Sequence, residues 1–240
     1  MDVVPLTVAM PISYPQRAST NPRTLRTRGA GAPAHSHEGG SRLRAPRMIG
    51  SMPDRLYFTD SDEANELIAS DPMALLIGFA LDQQVSVQKA FAGPLVIRER
   101  LGTLDASALA GADLEPIFRE RPAIHRFPGS MAQRVHDLAA HIRDHYDGDA
   151  GRVWTDAADS ATLRANLAAL PGFGEMKIKA LGAVLAKRFH VKAANDLVPP
   201  HPTLGDVDSS QALLEYQTAK RAHKAEWMKM KAGAGSEVGV

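Results

Sequence analysis

The stretch SATLRANLAALPGFGEMKIKALGAVLAKRFHV, residues 160–191, contains two helical patterns separated by a short glycine turn. Ser160 is the expected cap of the first helix. Leucines then recur on one side of that helix, at Leu163, Leu167 and Leu170. Apolar side chains also follow one face after the turn, at Ile178, Leu181, Leu185 and Phe189. The stretch therefore predicts two amphipathic helices joined by a tight turn.

The turn itself is Pro171-Gly172-Phe173-Gly174. Two glycines one residue apart allow positive φ angles and a close approach of the backbone to another molecule. Because a helix follows at once, its free N–H groups and positive dipole end should face out of the turn and suit a phosphate. Lys177 and Lys179 lie near this helix start, where they would either add charge or simply be solvated.

A second apolar segment lies upstream. Asp71-Pro72 is a strong helix start, and the residues that follow, MALLIGFALDQQVSVQKAF, are apolar nearly all round as far as Leu81. The pattern predicts one buried central helix over 72–91 that ends at Gly93-Pro94. Asp60 with Glu63 predicts a capped helix before it.

The rest of the chain also shows helical periodicity. Ser130 with Gln133 predicts a capped helix whose apolar stripe is Met131, Val135, Leu138, Ala139 and Ile142. Shorter helices are expected around Leu104, Leu109, Leu114 and Phe118, and a final helix over about 210–231. Since no run alternates apolar and polar residues over strand length, the predicted fold class is all-α.

Composition and charge narrow the functional classes. The 240 residues include no cysteine, which excludes disulfides, zinc–thiolate sites, cysteine nucleophiles and cysteine-ligated iron–sulfur clusters. Residues 1–50 carry seven arginines against Asp2 and Glu38, a net charge of +5, whereas the remainder carries −4. The folded part is therefore not globally basic, and any nucleic-acid contact must come from a local patch.

The chain is expected to divide into three parts. Residues 1–52 are expected to be a disordered tail. The alternative is that the start of translation is wrongly assigned and that Met48 or Met52 is the true first residue. Residues 53–208 form the folded domain, and 209–240 form a basic amphipathic helix and tail. The longest apolar run, 72–81, is too short for a membrane span. We expect a cytoplasmic, nucleoid-associated protein, with organelle targeting by residues 1–50 left open.

Three segments carry a family resemblance. LPGFGEMKIKALGAVLAKRF, residues 170–189, resembles a helix–hairpin–helix DNA-binding motif. DPMALLIGFALDQQVSVQKAF, residues 71–91, resembles the first core helix of endonuclease III-like DNA glycosylases. IHRFPGSMAQRVHDLAAHIRDHYDGD, residues 124–149, resembles the helix that leads to their hairpin. Together they resemble the HhH-GPD superfamily of base-excision-repair glycosylases over roughly residues 57–200, here without an iron–sulfur cluster.

The resemblance implies a two-lobed helical fold with a cleft, one lobe carrying helix 72–91 and the other the hairpin. It implies a monomeric enzyme that binds duplex DNA, flips a damaged base and hydrolyses its N-glycosidic bond. The alternative is a non-catalytic helix–hairpin–helix module that binds DNA but has lost this chemistry. The sequence does not name the lesion.

The resemblance also implies two catalytic positions. Bifunctional members carry a lysine two residues after the second hairpin glycine, where this chain has Met176. Lys177 comes one residue late, so a monofunctional enzyme is expected, with Lys177 as nucleophile only if the enzyme is bifunctional. The implied catalytic aspartate falls near Ala194, and Asp196 is the candidate. Its alternative role is to turn the chain before the prolines, with Asp206 or Asp208 as substitutes.

Gln83 and Gln84 follow the predicted core helix. In the enzymes that the chain resembles, a glutamine here fills the gap left by the flipped base, and Gln84 aligns best. An amide suits this role because it both donates and accepts hydrogen bonds. Asp82 could instead face the lesion pocket as an acid. The alternative is that all three residues are merely polar groups at a helix end.

No catalytic metal is predicted. His141 and His145 have the i, i+4 spacing of metal ligands, but the H-E-x-x-H signature is absent. A solvated histidine pair beside the apolar stripe explains them. The resemblance implies at most a structural monovalent cation held by the hairpin backbone, and no other cofactor.

Overall fold

The computed structural model describes the backbone of residues 53–234 and the side chains of residues 53–222. The tail predicted for residues 1–52 lies outside this part of the chain. Ten α-helices run through it: α1 Asp62–Ser70, α2 Pro72–Leu81, α3 Val87–Leu101, α4 Ala106–Gly111, α5 Glu115–Arg119, α6 Pro128–Tyr146, α7 Arg152–Thr155, α8 Ser160–Ala169, α9 Glu175–Lys187 and α10 Ser210–Ala234. Two 3-10 helices, Lys192–Leu197 and Leu204–Asp206, follow α9. Between residues 53 and 234 there is no strand, which confirms the all-α class.

Helix α2 is the buried centre that its sequence predicts. The Asp71 carboxylate accepts hydrogen bonds from the Met73 and Ala74 amides at 2.8 and 3.2 Å. Pro72 then occupies the first turn, where a missing N–H costs nothing. Every residue from Met73 to Leu81 is buried.

The single helix predicted over 72–91 is wrong, because the chain breaks at residues 82–86 and starts again as α3. Gln84 adopts a left-handed backbone with φ 54°, which ends the α2 geometry. The Ser86 hydroxyl then accepts from the Lys89 amide and caps the new helix. Gly93-Pro94 does not end it, since both residues lie inside α3. Proline there gives up one backbone hydrogen bond, and packing against the core outweighs that loss.

Two glycines let α2 and α3 approach closely. A Cβ on Gly78 would lie 2.4 Å from the Phe91 ring, and one on Gly93 would lie 2.5 Å from Cδ1 of Leu81. Phe91 in turn packs edge-to-face on Phe79, with ring centroids 5.0 Å apart. The C-terminal end of α2 is therefore held in place by tight packing.

Three predicted helix starts are shifted. Ser61 rather than Asp60 caps α1 by accepting from the Ala64 amide. Asp159 rather than Ser160 caps α8, because its carboxylate reaches the Thr162 amide at 2.8 Å. Helix α6 begins at Pro128, so Ser130 lies inside the helix and forms no capping box. Proline at the first helical position sets that start.

The predicted apolar stripes are confirmed. All five α6 stripe residues are buried, and so are Ile178, Leu181 and Leu185 of α9. The segment after α9 packs directly on it: a Cβ on Gly182 would lie 2.6 Å from Cβ of Leu197. Within residues 53–234, no single helix is long and apolar enough to cross a membrane. Only α1 and α2 taken together reach that length and composition, and they are bent by 113°.

Candidate active site

The hairpin turn, residues 171–174, connects α8 to α9. Gly172 has φ +81°, as the glycine pattern predicts, whereas Gly174 has an ordinary φ of −87° and precedes α9. A Cβ on Gly172 would lie 2.9 Å from Nε of Arg134. Two features therefore require glycine at position 172. One is the positive φ angle, and the other is the Arg134 guanidinium, which leaves no room for a side chain.

The first turn of α9 separates two neighbouring side chains. Met176, at the implied lysine position, is 76% exposed. Lys177 points inward, and its Nζ donates to the Ala80 carbonyl in the last turn of α2 at 3.0 Å. The same Nζ lies 5.7 Å from the Phe173 ring centroid. Successive residues of a helix point about 100° apart. A side chain at position 176 therefore faces solvent, whereas the lysine at position 177 faces α2.

Burial lowers the pKa of Lys177 to about 8. The nearby positive charge of Arg134 lowers it further, while the carboxyl of Asp82 acts in the opposite direction. Lys179, the other lysine predicted to contact DNA, is exposed and forms an ion pair with Glu175 at 3.4 Å. Of the two lysines, Lys177 is the one built into the interior of the site.

Asp82 lies directly after α2. Its backbone N–H caps the helix by donating to the Gly78 carbonyl at 3.1 Å, and its side chain is half-buried. Burial raises the pKa of Asp82, and the positive charges of Lys220 and Lys177 oppose that rise. Lys177 belongs to α9 and Lys220 to α10, so two separate helices bring positive charge to this carboxyl. We call the group of Asp82, Lys177, Arg134 and Lys220 the Asp82–Lys177 site.

Arg134 supplies an unused donor in the Asp82–Lys177 site. Its Nη1 is buried and has no hydrogen-bond partner among residues 53–222. A buried guanidinium nitrogen without an acceptor is costly in an isolated fold. Arg134 lies beside Gly172 with Nε as the atom closest to the turn, so its positive charge can stabilise an anion bound there. No sequence pattern singles out Arg134, because it is one of several charged residues on α6.

The loop 82–86 is held in place by a hydrogen bond from the His125 side chain. The Phe127 amide donates to Nδ1 of His125, so Nε2 carries the proton and donates to the Gln83 carbonyl at 3.0 Å. Burial lowers the pKa of His125, which favours this neutral form. Gln83 is half-buried, whereas Gln84 is exposed with its left-handed backbone. The predicted gap-filling residue therefore projects from a fixed loop.

An exposed aromatic side chain lies beyond this histidine. Phe127 is 41% exposed, and the Arg126 guanidinium lies 4.8 Å from its ring centroid. An exposed ring beside a cation can stack on an unpaired base and contact a phosphate. Sequence analysis missed this pair, because nothing in the segment RFPG distinguishes an exposed ring from a buried one.

Asp196, the predicted catalytic carboxylate, lies elsewhere. It is an exposed residue of the 3-10 helix Lys192–Leu197, and its Oδ2 accepts from the Ser160 hydroxyl at 2.7 Å. Ser160 begins α8, and the hairpin turn follows the other end of that helix, roughly 15 Å away along its axis. The structure therefore does not bring Asp196 and Lys177 into contact. The substitute Asp206 is bound by Lys187 at 2.6 Å, and Asp208 is exposed.

The histidine pair on α6 has no third ligand among residues 53–222. The rings of His141 and His145 lie 4.4 Å apart, and burial lowers the pKa of His141. In the part of the chain that the structure describes, no three metal-ligating side chains come together. The absence of a catalytic metal and the cation at the hairpin both stay predictions.

The Asp82–Lys177 site thus combines a half-buried carboxyl, an amine with a lowered pKa and a guanidinium group beside the hairpin turn. It can bind an anion and exchange a proton with a bound group. No family model, curated protein or solved structure matches this chain.

Proposed function

We propose that the protein is a base-excision DNA glycosylase with the two-lobed HhH-GPD fold. It binds duplex DNA, flips a damaged base into the cleft and hydrolyses the N-glycosidic bond without lyase activity. One observation carries this proposal: the Lys177 ammonium donates to the Ala80 carbonyl and so joins the hairpin to the end of α2. The two segments that would handle DNA therefore meet at one place.

The hairpin turn would hold a phosphate next to the lesion. The N-terminal amides of α9 face this turn, and the Arg134 guanidinium lies against Gly172. A phosphate oxygen at this point would be stabilised by the guanidinium charge and by the positive end of the helix dipole. Backbone contacts of this kind position the duplex but carry no sequence information.

The loop 82–86 would enter the duplex. Gln84 is exposed, and its loop is fixed by the bond from His125 to the Gln83 carbonyl. Its amide would fill the gap left by the flipped base and pair with the opposite strand. Extrusion costs a few kcal/mol and least for a damaged or mismatched base, which favours lesions over normal pairs.

Cleavage needs a carboxylate to stabilise positive charge at the anomeric carbon. Asp196 is the residue that the resemblance implies for this role. It would have to exchange the Ser160 hydroxyl for the sugar. Water then attacks the anomeric carbon, and Lys177 stays bound to Ala80, which is why no lyase step is proposed.

A non-catalytic DNA-binding module is the second candidate. It is favoured by one observation, the exposed position of Asp196 and its bond to Ser160. In such a module the hairpin contacts would remain, but no base would be released. Asp196→Asn would then leave DNA affinity nearly unchanged and would have no activity to remove.

The test is base release from a panel of duplexes, each with one defined lesion, scored before and after alkali. A monofunctional glycosylase gives strand breaks only after alkali, and the cleaved duplex names the lesion. Breaks without alkali would instead make Lys177 a nucleophile. Bound DNA with no release from any duplex would favour the non-catalytic module.

A further inference from the structure

We propose that Asp82 contacts the flipped base and donates the proton that the departing base takes up, with Lys177 as its positioning residue. This inference rests on the proposed glycosylase function and adds a substrate class to it. The class is bases that are uncharged in DNA, such as deaminated or oxidised bases, because only these need a proton to leave as neutral molecules.

The backbone of Asp82 is fixed while its carboxyl is free. Its N–H donates to the carbonyls of Gly78 and Phe79 at 3.1 and 3.3 Å, and the next amide, of Gln83, donates to Leu81 at 2.7 Å. No hydrogen bond from residues 53–222 contributes to the environment of the carboxyl, which is half-buried. A held backbone with an unengaged acid suits a group that must contact a ligand.

The surroundings of Asp82 suit both the protonated acid before proton transfer and the carboxylate after it. Burial favours the protonated acid, which is the form needed before the base leaves. The carboxylate that forms afterwards lies within electrostatic reach of the cations of Lys177 on α9 and Lys220 on α10. The base gains its proton at the moment when these cations begin to stabilise the anion.

The bond from Lys177 to Ala80 fixes this geometry. Ala80 lies two residues before Asp82, so the ammonium is anchored beside the acid at 3.0 Å from the Ala80 carbonyl oxygen. The other charged and titratable groups around it are Arg134 of α6, which acts on Lys177, and the neutral His125 below Gln83. Lys177 therefore acts through Asp82 and the loop and does not itself contact the base.

The same cations select against one class of lesion. A purine with a fixed positive charge, such as 7-methylguanine, already leaves as a neutral base without a proton. Near Lys177, Lys220 and Arg134 it would be repelled, because like charges in a half-buried site are weakly screened. An uncharged base meets no such repulsion and gains from the acid.

The step balances as follows. The bond between the base nitrogen and C1′ breaks, both electrons go to the base, and the proton of Asp82 moves to a base ring nitrogen. Water adds to C1′, and its proton passes to the Asp82 carboxylate. The products are the free base, an abasic sugar and the regenerated acid, with no oxidant or further reactant.

The test measures single-turnover base release by the full chain from duplexes carrying uracil, hypoxanthine, 8-oxoguanine or 7-methylguanine. The variants are Asp82→Asn, Asp82→Glu and the control Asp60→Asn, an exposed residue away from the site. We expect release of an uncharged base to fall at least about 100-fold in Asp82→Asn and partly to recover in Asp82→Glu. Asp60→Asn should match the wild type, and all variants should bind the duplex with nearly equal affinity.

A pH series separates catalysis from structural support. The wild-type rate should fall as pH rises through the pKa of Asp82, and Asp82→Asn should lack that limb. Lys177→Met removes a cation that lowers the pKa of Asp82, so the limb should move to higher pH. A merely structural Lys177 would change the rate without moving the limb.

Three results would overturn the inference. Asp82→Asn with a rate within about threefold of Asp60→Asn would remove Asp82 from the reaction while leaving a glycosylase. Preferred release of 7-methylguanine by the wild type would contradict the proposed substrate class of uncharged bases. Release of no base from any duplex by the wild type would end the proposed function, and this inference with it.

Discussion

Asp82 and Asp196 are two aspartates in opposite surroundings. Asp82 is half-buried at the end of α2, next to two lysine cations and close to the hairpin through Lys177. Asp196 is exposed on a 3-10 helix and bound to the Ser160 hydroxyl. Spacing along the chain selected Asp196, whereas burial and charge select Asp82. Motif spacing predicts where a group falls in the sequence, but only packing decides what surrounds it.

The position of Asp82 depends on the close contact of α2 with α3. Gly78→Ala places a Cβ 2.4 Å from the Phe91 ring, so it should destabilise the fold by about 2 kcal/mol through overpacking. The matched control is Gly111→Ala, since a Cβ there meets nothing within 4 Å. Urea unfolding of both variants measures the difference, and equal midpoints would show that the α2–α3 contact is not tight.

The burial of Lys177 can be tested by measuring how the stability of the protein depends on pH. Its pKa of about 8 in the fold lies below that of an unfolded lysine, so the unfolded chain binds more protons between pH 8 and about 10.4. Stability of the wild type relative to Lys177→Met should therefore rise across this window, by roughly 1 to 2 kcal/mol after allowance for solvent screening. Below pH 8 the difference should be flat. A difference that stays constant from pH 7 to 10 would place Lys177 in solvent.

Arg134 should connect the Asp82–Lys177 site to DNA. Arg134→Gln should weaken duplex binding about tenfold and reduce the salt slope by about 0.9, because one phosphate contact is lost. Arg143→Gln on the same helix is the control, since that side chain is exposed and pairs with Asp144. Titration at several salt concentrations measures both quantities, and equal behaviour of the two variants would contradict a hairpin phosphate site.

The smallest effect is expected on the Asp196 side. Ser160→Ala removes one exposed hydrogen bond and should change the free energy of unfolding by only about 0.5 kcal/mol. DNA affinity should stay nearly the same, because Asp196 must leave the Ser160 hydroxyl before it can reach the sugar. A clear loss of affinity in Ser160→Ala, with Thr162→Ala as the neighbouring control, would show instead that the bond between Ser160 and Asp196 supports DNA binding.

The sequence predicted those features that depend on local periodicity. The α2 cap at Asp71, the buried stripe of α6 and the glycine turn at Gly172 are all present. It missed the break at 82–86, because the Ser86 cap competes with a long apolar helix that looks continuous. It placed Ser160 and Asp60 one residue from the true caps, since neighbouring polar residues are equally good caps by type.

The candidate site could be predicted only in part. The hairpin, Lys177 and the loop residues Asp82 and Gln84 stood out as motifs, but their meeting point did not. The contact between Lys177 and Ala80 spans 97 residues, and that of Arg134 with Gly172 joins α6 to the hairpin turn, so neither leaves a local signal. Long-range contacts of this kind come from packing of the whole domain.

The most direct measurement is hydrogen exchange of the full chain, free and bound to a duplex with one abasic-site analogue. Amides of residues 82–86 and 172–177 should slow together on binding, and those of 192–197 should slow as well if Asp196 reaches the sugar. That result would place the hairpin and the end of α2 at one DNA site. Protection at 192–197 without protection of both other segments, with the duplex fully bound, would contradict it.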